Sequence, residues 1–159
     1  MANTWIVAAN RSKARIFEMQ KLHGPLVEVT DLVDPEGRAR DRDINSDAYG
    51  RLYGKGEHVQ GHSTSADVSP TQHESERFAE RLRDYLNRAH GEQRFDKLWL
   101  VAPPAFLGTL REKLGKQMRG ALELEVNKDV PTHSAEEIRD IALTERERQA
   151  KRESRKGNA

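Results

Sequence analysis

The chain has 159 residues, 27 of them Lys or Arg and 26 Asp or Glu, for a formal net charge of +1; 35% are hydrophobic, 33% charged and none is cysteine. That length suits one domain with its own core, the missing cysteines exclude disulfide scaffolds, thiolate zinc sites and cysteine nucleophiles, and the near-neutral balance leaves any polyanionic partner to be decided by local charge. No apolar run approaches the roughly 20 residues that cross a bilayer, and Met1 to Asn10 reads as a first strand rather than a secretion signal, so a soluble, cytoplasmic protein without membrane insertion is expected.

Thr4-Trp5-Ile6-Val7-Ala8-Ala9 is a run of strand formers, Asn10-Arg11-Ser12 is turn chemistry and Lys13 to Gln20 alternates, which predicts a hairpin. His23-Gly24-Pro25 makes the next turn, and Leu26 to Leu32 a third strand. Residues 34–72 then carry Gly37, Gly50, Gly54, Gly56 and Gly61 and few large apolar side chains. A polar stretch of that length inside a domain is either functional or a tolerated disordered insertion. At Ser69-Pro70-Thr71-Gln72, serine as N-cap, proline at the first helical position and glutamine at the third form a capping box. The helix it opens places Phe78, Leu82, Tyr85, Leu86 and Ala89 on one face, with Gly91 where a left-handed C-terminal cap belongs.

Lys97 to Ala102 reads as a buried strand closed by Pro103-Pro104, and Pro104 suits the first turn of a helix with Leu107, Leu110, Leu114 and Met118 on one stripe, ended by Gly120. Ala121 to Val126 alternates as a strand with one wetter face. Ser134 and Glu137 form a second capping box, opening a last helix through Ile138, Ile141 and Ala142. Beyond Leu143 the stripe stops, so residues 1–144 read as one domain with a long polar loop at 34–72, and 145–159 as a charged helical or frayed tail. The order β-β-β-α-β-α-β-α is that of ribonuclease-H-like α/β folds, a mixed five-stranded sheet flanked by helices with the first strand beside the fourth.

Nucleases of that architecture gather carboxylates around two metal ions. Here the first strand has no acid before its turn, the fourth ends in Val101-Ala102-Pro103, Asp96 lies at the wrong end of its strand, and Glu74 and Glu76 lack companions, so the nuclease reading is rejected. His58 and His62 have helical metal-ligand spacing, with His73, Asp47 and Asp67 nearby, but the surrounding glycines argue against a helix and for scattered surface histidines. No nucleophile elbow, Walker loop or dinucleotide fingerprint occurs, and no catalytic residue, metal site or small-molecule cofactor is assigned. Basic residues do cluster: Arg11, Lys13 and Arg15 on the first hairpin, and Arg111, Lys113, Lys116 and Arg119 on one helix, as phosphate contacts require. Acids interleave with them, so a plain solvated face is the competing reading.

The segments Trp5-Ile6-Val7-Ala8-Ala9-Asn10-Arg11-Ser12-Lys13-Ala14-Arg15-Ile16-Phe17 and Leu100-Val101-Ala102-Pro103-Pro104-Ala105-Phe106-Leu107-Gly108-Thr109-Leu110-Arg111 resemble the bacterial host attachment protein family, and Leu124-Glu125-Val126-Asn127-Lys128-Asp129 fits too. That family is named for attachment to host cells and is similar in fold to the middle domain of archaeal and eukaryotic peptide-chain release factors and Pelota. The resemblance implies that the polar loop takes the place of the release factors' Gly-Gly-Gln loop. Here that stretch is Gly54-Lys55-Gly56-Glu57-His58-Val59-Gln60-Gly61, without the motif that orients water for ester hydrolysis. Three readings follow. In the leading one the protein is a non-catalytic ribosome- or RNA-associated factor, in translation rescue or dormancy, making contact through Tyr49, Gly50, Arg51, Tyr53, Gly54, Lys55, Gly56, His58, Gln60 and Gly61. The second is an attachment protein with a host-surface or protein partner, and the third a hydrolase using loop histidines.

Overall fold

The computed structural model describes residues 3–34 and 70–157. Its elements are β1 (Thr4–Ala9), β2 (Lys13–Met19), β3 (Val27–Val33), α1 (Pro70–Gly91), β4 (Lys97–Ala102), α2 (Pro104–Arg119), β5 (Leu122–Asn127) and α3 (Ala135–Gly157). The five strands lie in the order β3-β2-β1-β4-β5. β1 is antiparallel to β2 and parallel to β4, and β4 is parallel to β5. This is the mixed, ribonuclease-H-like sheet expected from the element order, with β1 central.

Both faces of the sheet are covered, which is why β1 and β4 are almost unbroken apolar runs. Side chains alternate with the strand period of two. Trp5, Val7 and Ala9 of β1 join Leu98, Leu100 and Ala102 of β4 beneath α1 and α2. Ile6 and Ala8 join Trp99 and Val101 beneath α3. α1 contributes Phe78, Ala79, Leu82, Leu86 and Ala89 to the first core, and α2 contributes Phe106, Leu107, Leu110, Leu114 and Met118. α3 seals the second with Ile138, Ala142 and Leu143, and beyond residue 150 every described position is exposed. β3 is the wet edge, with Val27 at 60% exposure.

Two helix details depart from the sequence reading. α1 does not end on a left-handed Gly91. The left-handed residue is Gln93, at φ 61°. Gln93 N–H donates to His90 O at 2.9 Å and Arg94 N–H to Ala89 O at 3.0 Å, the paired bonds of a Schellman cap. α2 is not one continuous helix either. Gly115 sits at φ 70°, ψ −168°, a conformation essentially confined to glycine, and it kinks the helix inside its leucine stripe. Gly120 follows with right-handed angles. At the last helix the expected capping box is present: Glu137 N–H donates to Ser134 Oγ and Ser134 N–H to Glu137 Oε1, both at 3.1 Å. Those bonds hold the Glu137 carboxyl below its usual range. The first capping serine, Ser69, lies outside the described residues.

Candidate functional site: a crevice at the carboxyl end of the sheet

β1, β4 and β5 run parallel, and their carboxyl ends open on a cavity of about 420 Å³. In open α/β sheets this is where ligands bind, and the volume falls in the range of small-molecule pockets, roughly 300–1,000 Å³. Its walls come from the β1–β2 turn (Asn10, Arg11, Ser12), the start of α1 (Gln72, Ser75), the start of α2 (Pro103, Ala105, Phe106, Thr109) and Asp129 after β5.

Asn10 organises this end. Its Oδ1 accepts from the N–H of Ser12 at 3.0 Å, the N–H of Lys13 at 2.9 Å and the Ser12 hydroxyl at 3.2 Å. An Asx turn of this kind fixes a tight hairpin without glycine. Its Nδ2 donates to Asp129 Oδ1 at 3.1 Å, tying the β1 turn to the end of β5. Ser12 O in turn accepts from Asp34 N–H at 2.9 Å. The residue before segment 35–69 is thus anchored on the hairpin, and Gln72, just after the segment, lines the crevice beside it.

Polar and apolar groups share the walls. Pro103 is the N-cap of α2 and offers no side-chain cap, and Pro104 follows in the first turn. The Thr109 hydroxyl donates to Ala105 O at 3.1 Å. Ser75 is 9% exposed. The single carboxylate among the described lining residues, Asp129, is engaged by Asn10, and no histidine is among them. Among the described residues no group of three or more His, Asp or Glu side chains is placed to hold a metal ion. Such walls offer both hydrogen-bonding and apolar surface to a ligand.

The basic residues singled out in the sequence fall into different places. Arg11 is exposed and lines the crevice. Lys13 is half-buried at the start of β2, and its charge helps lower the Glu28 carboxyl. Arg15 is turned into the fold. Its Nη1 donates to the carbonyls of Pro131 at 3.0 Å and His133 at 2.7 Å, and Nε and Nη2 donate to Glu28 at 3.1 and 3.0 Å. The hydrogen bond and charge of Arg15 hold Glu28 below the usual carboxylate range, and Glu28 raises the Arg15 guanidinium in turn. Arg111 pairs with Glu125 at 2.7 Å and Lys113 with Glu80 on α1 at 3.2 Å. Lys116 and Arg119 are exposed on the last turns of α2, which lead into Ala121 beside the start of β4, at the opposite end of the sheet. The loop positions Tyr49, Gly50, Arg51, Tyr53, Gly54, Lys55, Gly56, His58, Gln60 and Gly61 lie outside the described residues.

Sequence reasoning missed Asn10, Ser75, Ala105, Phe106 and Asp129 as partners, and it missed the buttress around Glu123. That carboxylate accepts from Trp99 Nε1 at 3.0 Å and meets Lys97 at 2.9 Å. Burial pushes the Glu123 carboxyl up, but the bonds from Lys97 and Trp99, with the charge of Arg146, outweigh it and leave it low.

A family model described as "Protein required for attachment to host cells" matches residues 5–141. No curated protein matches. Among solved structures, the Ppx/GppA phosphatase of Aquifex aeolicus in its type II variant is 11% identical with a TM-score of 0.35, over 79% of this chain and 35% of that one. A further structure of the Aquifex aeolicus Ppx/GppA family member is 10% identical with a TM-score of 0.34, over 77% and 34%. The chain therefore spans about a third of the length of those structures. Among the described residues no helix is long and apolar enough to cross a membrane.

Proposed function

We propose, since this chain belongs to the family of proteins required for attachment to host cells, that this member is a non-catalytic binding factor whose contact end is the carboxyl end of its sheet and whose partner is RNA, met on the ribosome in translation rescue or dormancy. One observation carries the reading. The residues flanking segment 35–69, Asp34 and Gln72, sit beside the same crevice that Arg11 lines. Segment 35–69, whose sequence includes the glycine- and cation-bearing stretch from Tyr49 to Gly61, joins the described fold on both sides beside that crevice. The resemblance to release-factor middle domains supplies the kind of partner; the missing Gly-Gly-Gln favours binding over hydrolysis. Arg11, which lines the crevice, and Lys13 join the loop as the contact set; Arg15, Arg111 and Lys113 are held in ion pairs within the fold.

Pelleting with ribosomes across a salt series tests the proposal. Binding is expected at low salt and release at high salt, because phosphate contacts liberate counterions. Deleting residues 48–62 should weaken pelleting with little change in melting. Absence from every ribosomal fraction rejects the proposal. The family description favours a second reading, direct action at the host surface; native protein detected outside intact cells would support it.

A further inference from the structure

We infer that the exposed, basic end of α3 is a second contact with RNA, one that grips the phosphates of a double-stranded stretch without reading its sequence. The inference takes RNA as the partner from the reading above but needs neither the crevice nor segment 35–69. Leu143 is the last buried residue of α3, yet the helix runs on to Gly157, about 20 Å further at roughly 1.5 Å per residue. No packing explains that extension. Residues 148–157 include no aliphatic side chain larger than alanine and no aromatic ring, and they carry five basic side chains against one carboxylate.

The bases form a stripe. Arg146, Gln149, Ala150 and Glu153, spaced i, i+3, i+4, i+7, line a groove with Glu123 and Leu124 of β5, so that face is turned to the fold. Arg148, Lys151, Arg152 and Arg155 repeat the same spacing two positions later. Two helical positions are a rotation of about 200°, which turns the basic stripe away from the groove, and all four residues are exposed. Arg148 and Arg152 share a single carboxylate, Glu145, at 3.8 and 3.1 Å, while Lys151, Arg155 and the adjacent Lys156 make no ion pair among the described residues. The helix dipole accounts for cations in the last turn, Arg155 and Lys156, but Arg148, Lys151 and Arg152 lie before it. A row of exposed cations with three guanidinium groups fits phosphate oxygens, which arginine meets with paired hydrogen bonds. A lipid surface would call for apolar side chains that enter it, and a protein interface for an apolar core; the stripe offers neither.

The test follows the affinity of the full chain for a short duplex RNA against salt concentration, read by fluorescence anisotropy. Lys151→Gln/Arg155→Gln is compared with Lys116→Gln/Arg119→Gln, which removes the same charge from the exposed last turns of α2. The α3 pair should weaken binding and lower the slope of log affinity against log salt by about two, since each phosphate contact on a duplex contributes roughly 0.9. The α2 pair should leave the slope unchanged. Glutamine keeps a good helix former at each position, and an unchanged circular dichroism signal confirms α3 in both variants. Equal loss in the two pairs, an unchanged slope in the α3 pair, or a parent that binds no duplex RNA overturns the inference. Binding through α3 to a sulfated polysaccharide, with RNA ignored, overturns it too. Arg11→Glu separates this inference from the reading of the crevice. If the slope falls in the α3 pair while Arg11→Glu pellets with ribosomes like the parent, the α3 contact stands and the crevice reading falls; the reverse pattern removes the α3 contact alone.

Discussion

The seam under α3 and the crevice at the carboxyl end of the sheet are both rich in polar groups, yet they use them oppositely. In the seam, Arg15 is matched by Glu28 and two carbonyls, Trp99 and Lys97 meet on Glu123, and Ser134 and Glu137 cap each other. At the crevice, the α2 N-terminus lacks a side-chain cap. Matched groups fasten elements together; unmatched donors around a hollow await something from outside. The two regions teach that a basic side chain is a candidate contact only after its partners within the fold have been counted.

Substitutions sharpen that contrast. Arg15→Ala has the largest expected effect, about 2–3 kcal/mol of stability, because it strips charge-assisted bonds from partly buried carbonyls and Glu28. It should leave the crevice amides in place, and a variant as stable as the parent in denaturant melts would break the contrast. Gly115→Ala should cost about 1–3 kcal/mol, since its backbone angles are barred to side chains; a neutral result would mean that the kink straightens. Ser134→Ala should cost about 1 kcal/mol by loss of the α3 cap.

Acid gives a smaller effect. Glu28 and Glu123 are held below the ordinary carboxylate range in the fold. Their contribution is fully present above that range and is lost as pH falls through their lowered values. Glu28 is 41% exposed, so solvent screens most of its share. Glu28→Gln and Glu123→Gln should each flatten the fall in melting temperature between neutral pH and the acid range.

Legibility in the sequence followed the range of the interactions. β1 and β4 were readable to the residue because covering both faces demands an apolar run, and Ser134 with Glu137 announced its cap because both partners lie within one turn. The end of α1 was misread because a Schellman cap tolerates a glutamine, so Gly91 attracted the assignment that belonged to Gln93. The α2 kink was hidden because Leu110, Leu114 and Met118 keep a helical spacing on both sides of Gly115. The crevice was illegible for a stronger reason. Asn10 and Asp129 meet across 119 positions, and the walls gather from four separate elements. Nothing local distinguishes Arg11, which lines the hollow, from Arg15, which faces inward; strand alternation and the position of His133 decide it.

Charge reversal at the two ends of the body tests the account most directly. Arg11→Glu and Arg119→Glu change the net charge equally, one at the crevice and one at the far end of α2. Compared by ribosome pelleting at low salt, Arg11→Glu should lose most binding while Arg119→Glu keeps it. Equal loss in both, or loss only with Arg119→Glu, would contradict the assignment of contact to the carboxyl end of the sheet.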